Sequence, residues 1–187
     1  MSYFFAYPQY ADFEIAHALF LLRKLGKAKI TTVSVDGNPV ESIGGLWTQV
    51  ESSLSDINAT NFDLILISGG DGIREIIDEE AVTSMITNAY NASIPIASIC
   101  ASATLLAKSG ILDGQKFTCL PSTYEQYKSL FENALYTGTD IEIGQSVITA
   151  KGTAFAEFAV SVCRQIGLLH EQEQFNSTLN FCRGISS

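Results

Sequence analysis

A chain of 187 residues, 47% hydrophobic and 17% charged, is long enough for one domain with a substantial core and has the composition of an ordinary globular protein. Twenty acidic against eleven basic residues give a formal charge of -9, a field that repels nucleic acid and anionic membranes, so neither is expected as a partner. Four cysteines with no C-x-x-C pair, two histidines, no N-terminal leader pattern and no bilayer-length apolar run predict reduced thiols in the cytoplasm, with no metal or cofactor.

In chain order, "SYFFAY" reads as a short buried strand and "DFEIAHALFLLRKLG" as a helix, with Asp12 as N-cap and Gly26 as stop. "KITTVSV" follows as a strand, then "VESIGGLWTQVE" as a bent extended excursion. "FDLILISGG" is an apolar run that stops at Gly69 and Gly70, the pattern of a parallel strand buried on both faces. A helix through "EEAVTSMITNAYNA", the strand "IPIASI", the helix "ASATLLAKSG" and the short strand "KFTCL" come next. The chain closes with the strand "QSVITA", the apolar helix "GTAFAEFAVSVCRQIG" and a polar helix over 170–181. No linker or repeat divides these units, so residues 1–187 are expected to form one domain, α/β in class, with a mostly parallel sheet and helices on both faces. Ligands of such sheets bind outside the carboxyl ends of the strands, where Gly69, Gly70 and Cys100 all fall.

Cys100 stands at the joint of strand and helix with Ser98 two residues before it and Ser102 two after. Small residues at those positions allow the sharp turn of a nucleophile elbow, in which the reactive side chain is held strained and exposed. The helix start at Ala101 would favour a thiolate, and the Ala101 N–H with one from the Gly69–Gly70 loop would cradle an oxyanion. The alternative is a small buried hydrophobe, which suits Cys163 on its apolar helix.

"DLILISGG", "IPIASICASATLLAKSGILDGQKFT" and "VITAKGTAFAEFAV" resemble, in order, three segments of the ThiJ/PfpI superfamily, and "YADFEIA" resembles its first strand-to-helix segment. The resemblance implies a flavodoxin-like three-layer sandwich, a homodimer, and Cys100 as nucleophile beside a protonated Glu14 that hydrogen-bonds its sulfur. The apolar neighbours Phe13 and Ile15 agree with a raised Glu14 pKa; a solvated first-turn glutamate is the alternative. The chain departs from many members in lacking a histidine after the cysteine, where Ala101 stands, and in showing Cys119 and Leu120 where others supply one from the next strand. His17, one turn beyond Glu14, reaches the edge of the site or lies on the surface. Without an imidazole, peptide or amide hydrolysis lacks its general acid and base.

The expectation is a cysteine-centred protein whose partner is a small electrophile such as a reactive aldehyde, or an oxidant that converts the thiol to a stable sulfinate under stress. A ligand-binding or regulatory module with an inert Cys100 is a second reading, and a hydrolase or amidotransferase-like enzyme using another base a third. A flavin or nucleotide site fails on motif, because "SGGDGIRE" is neither G-x-G-x-x-G nor a P-loop.

Overall fold

The computed structural model describes residues 2–58 and 61–185. Its central sheet is built from β1 (Ser2–Phe5), β2 (Ile30–Ser34), β5 (Ser52–Ser53), β6 (Leu64–Ile67), β7 (Ile96–Ile99), β10 (Ile141–Ile143) and β11 (Val147–Ala150). The spatial order is β10-β11-β7-β6-β1-β2-β5, and every pairing is parallel except β10 with β11. Of the five inner strands, β1, β6, β7 and β11 are buried at every residue, as expected of strands covered on both faces.

Helix α1 (Asp12–Gly26) packs along α6 (Phe155–Gln165), which carries α7 (Gln172–Cys182), while α3 (Glu80–Asn91) packs on α4 (Ala103–Lys108). Both groups rest on β7, and together they give the three layers. The remaining elements are the antiparallel ribbon β3 (Val40–Glu41) with β4 (Trp47–Thr48), the single turn α2 (Ile73–Ile76), the pair β8 (Lys116–Phe117) with β9 (Leu135–Tyr136), and α5 (Pro121–Gln126). No helix among the described residues is long and apolar enough to cross a membrane.

Several local expectations are corrected. Asp12 is the first residue of α1 rather than its cap; the cap position belongs to Ala11 in an extended conformation, and the Asp12 carboxylate instead accepts the Ser42 hydroxyl at 2.6 Å, tying the ribbon to the helix. The helix does run to Gly26, but Lys27 takes the left-handed turn, with φ 49°. The excursion around Gly44 and Gly45 closes into the β3–β4 ribbon. The strand expected over "KFTCL" ends at Phe117, because the Thr118 N–H turns to the Thr149 hydroxyl at 2.9 Å. The helix expected from Ala101 begins as a 3₁₀ turn over Cys100–Ser102.

Register decides what meets at the carboxyl end of the sheet. Ser98 lies between Ile67 on β6 and Thr149 on β11, so the segments that follow these three strands emerge side by side. They begin with Ser68 and Gly69, with Cys100, and with Lys151 and Gly152.

Candidate active site

Cys100 follows β7 with φ 62°, a left-handed conformation that costs a non-glycine residue about 1–3 kcal/mol and persists only when its surroundings impose it. Ser102 is central to that imposition. Its hydroxyl accepts the Ile99 N–H at 3.0 Å and lies 2.7 Å from the Ile99 carbonyl, 3.1 Å from the Ile67 carbonyl and 2.7 Å from the Ser98 hydroxyl. Both serines are fully buried, so these contacts replace all the hydrogen bonds that water would have made. The serines flanking the elbow thus do more than remain small: they staple its turn to β6 and β7.

Glu14 reaches the same place from the first turn of α1. The chain entering that helix pairs with the end of β6: Tyr10 bridges Gly70, the Ala11 N–H donates to the Gly69 carbonyl at 2.8 Å, and the Ser68 hydroxyl donates to the Ala11 carbonyl at 2.6 Å. This clamp aims Glu14 inward, where it is 3% exposed and accepts the Gly69 N–H on Oε2 at 2.9 Å. The Glu14 carboxyl and the Cys100 sulfur both border the gap at Gly152, and each shifts the other's titration.

Two glycines leave room for the pair. A Cβ on Gly69 would lie 2.6 Å from the Cys100 Cβ and 2.7 Å from Glu14 Oε2. A Cβ on Gly152 would lie 2.9 Å from the Cys100 sulfur and would collide with Glu14 Oε1. Gly152 was not among the residues singled out from the sequence; its place just past a strand that neighbours the Cys100 strand is the signal that could have found it.

Burial pushes the Glu14 carboxyl up to about 7, against the opposing hydrogen bonds from Cys100, Gly69 and Ser68. Burial also pushes the Cys100 thiol up, and an ionised Glu14 pushes it further, whereas the Ala101 N–H draws it down. The depressed thiol pKa expected from the helix start is therefore reversed, because the Ala101 N–H is outweighed by desolvation. Two buried acids in contact titrate as a unit: one negative charge forms on the pair, and the second is opposed by the first.

The thiol opens on a cavity of about 490 Å³ whose lining includes Glu14, Gly70, Ala101, Asp71, Arg74 and Leu120. The Gly69 N–H is committed to Glu14, so Gly70 and Ala101 are the backbone neighbours that face this space. His17 does not line it; its ring stacks on Phe155 with centroids 5.4 Å apart, and its buried Nδ1 has no hydrogen-bond partner among the described residues. Leu120 forms part of the cavity wall, and Cys119 turns its sulfur inward, 3.5 Å from the Leu120 carbonyl. Cys119, Cys163 and Cys182 are buried, and Cys100 is the cysteine with partial exposure.

The DJ-1/PfpI family profile matches residues 2–165. The chain belongs to that family. Among its relatives, the protein named uncharacterized protease YdeA of Bacillus subtilis (strain 168) is 30% identical over 167 residues, 87% of this chain and 81% of the other. The glutathione-independent glyoxalase DJR-1.2 of Caenorhabditis elegans is 29% identical over 144 residues, 75% of this chain and 73% of the other. In solved structures, Drosophila melanogaster DJ-1beta superposes with a TM-score of 0.83 at 22% identity, covering 100% of this chain and 98% of its own. The thiJ/pfpI family protein from Bacillus anthracis gives 0.85 at 24% identity, over 96% of this chain and 88% of its own. These likenesses establish the DJ-1/PfpI fold, a flavodoxin-like sandwich.

Proposed function

We propose that Cys100 is a nucleophile toward small electrophiles, reactive aldehydes foremost, with Glu14 as its proton partner. The observation that carries this reading is the Cys100–Glu14 contact, framed by Gly69 and Gly152 at the wall of a cavity of about 490 Å³. With the carboxyl raised to about 7, the pair exchanges a proton near neutrality. In the step itself the sulfur bonds to the carbonyl carbon, the π electrons pass to the oxygen, and the proton lost by the pair is delivered to that oxygen, giving a hemithioacetal. Gly70 and Ala101 are the backbone groups beside the developing charge.

The relative named a glyoxalase supports an aldehyde substrate. The relative named a protease does not bring hydrolysis with it, since among the described residues no histidine lines the cavity to protonate a leaving amine. The same partly exposed sulfur supports a role as a stress-responsive thiol: peroxide would oxidise it to sulfenic acid with release of water, and a second peroxide would take it to sulfinate, which Glu14 could hydrogen-bond. The compartment we assign is the cytoplasm. A homodimer is part of this reading, supported by the exposed Leu46 and Trp47 on the β3–β4 ribbon and Phe13 on α1.

Incubation with glyoxal tests the aldehyde reading. The parent should consume the aldehyde and carry a transient adduct on Cys100 by mass spectrometry, while Cys100→Ser should do neither. Equal consumption by the two proteins would sink it.

A further inference from the structure

Arg74 lines the same cavity as Cys100 and Glu14. Its guanidinium has neither hydrogen bond nor ion pair among the described residues, whereas Arg164 is held by Gln172 and Phe175 and Arg183 by Glu157. Asp71, three residues earlier, lines the cavity as well and does not pair with it. A cation left without a partner at the mouth of a reactive site, in a chain of net charge -9, is a feature the aldehyde chemistry alone does not use.

We infer that the electrophile taken by Cys100 bears a carboxylate, as a short 2-oxo acid does, and that Arg74 seats it. This rests on the reading of Cys100 as the nucleophile. A guanidinium presents a planar fork of donors that fits a carboxylate in a bidentate manner. Neutral donors from α5, Ser122, Thr123 and Gln126, line the cavity too and serve the remaining oxygens of such a molecule. Asp71 and an ionised Glu14 oppose any anion, so the attraction comes from this directed contact and not from the mean field of the site. Anchoring one end of a small molecule also fixes its carbonyl relative to the sulfur, which lowers the entropic barrier to addition.

Iodoacetate and iodoacetamide share a reactive carbon and a leaving group and differ in charge, so the ratio of their labelling rates at Cys100 isolates the seat. In each, the S–C bond forms as iodide leaves and the thiol proton goes to solvent. Arg74→Ala should lower the iodoacetate-to-iodoacetamide ratio by roughly three- to fivefold, the scale of one partly exposed ion pair, with Arg74→Lys recovering part of it. Asp71→Asn should raise the ratio. If both reagents label Cys100 and the ratio is the same in the parent, Arg74→Ala and Arg74→Lys, the carboxylate seat is wrong while the nucleophile stands. If neither reagent labels Cys100 in the parent, the nucleophile reading fails and the seat fails with it.

Discussion

Glu14→Ala should move the pH at which Cys100 becomes reactive downward by roughly one unit, and Glu14→Gln likewise, because the Glu14 carboxylate formed at about 7 opposes a second charge on the neighbouring sulfur and neither replacement ionises. Glutamine also keeps a neutral donor beside the sulfur, so its profile should lie lowest of the three. The rate of labelling by a neutral iodoacetamide, followed from pH 5 to 10 in the three proteins, reads the shift directly; superimposed profiles would show that Glu14 is not the partner. The same variants carry a stability signature. The Glu14 carboxyl rises from 4.5 to about 7 on folding, so the stability tied to its protonated form is intact below pH 4.5 and is lost as pH climbs through about 7. That loss is about 3 kcal/mol by linkage. Urea unfolding at pH 5 and pH 8 should show the decline in the parent and its absence in Glu14→Gln. A decline of equal size in both would place the titrating group elsewhere.

Gly152→Ala should slow Cys100 labelling about tenfold or more and cost about 1–3 kcal/mol of stability, the usual scale of overpacking a filled interior. The added methyl would lie 2.9 Å from the Cys100 sulfur and in the space of Glu14 Oε1, so the two side chains cannot keep their contact. The turn over Gly152–Ala154 is fixed by the Ala154 N–H to the Lys151 carbonyl at 2.9 Å, which limits how far the backbone can retreat. Gly184, where a Cβ would meet nothing within 4 Å, is the control for a glycine replaced away from the site. Its φ of 69° predicts a small stability loss with unchanged labelling. Full Cys100 reactivity in Gly152→Ala, with folding intact, would show that the pair does not need the gap.

The runs "SYFF", "LILI" and "VITA" contain no residue that demands water, so their covering on both faces, and with it the parallel sheet, was legible before any coordinates. The elbow was legible as well, since Ser98 and Ser102 bracket Cys100 by the spacing such a turn requires. The six residues of α5 and the two-residue strand β9 were not, because stretches so short show no period to read.

The hydrogen bonds of Ser102, which make the serines a staple, depend on β6 lying beside β7 and appear in no local pattern. The meeting of Glu14 with Cys100 could be named from resemblance, but its cause is the pairing of Tyr10 with Gly70, a contact between residues sixty positions apart. Gly152 and Arg74 enter the site only because strand order brings three loop starts to one edge. The net direction of the thiol shift is absent from the sequence for a related reason. The helix start that lowers a thiol pKa is local and visible in sequence, whereas desolvation, which outweighs it at Cys100, is set by how much of the folded chain closes around the sulfur.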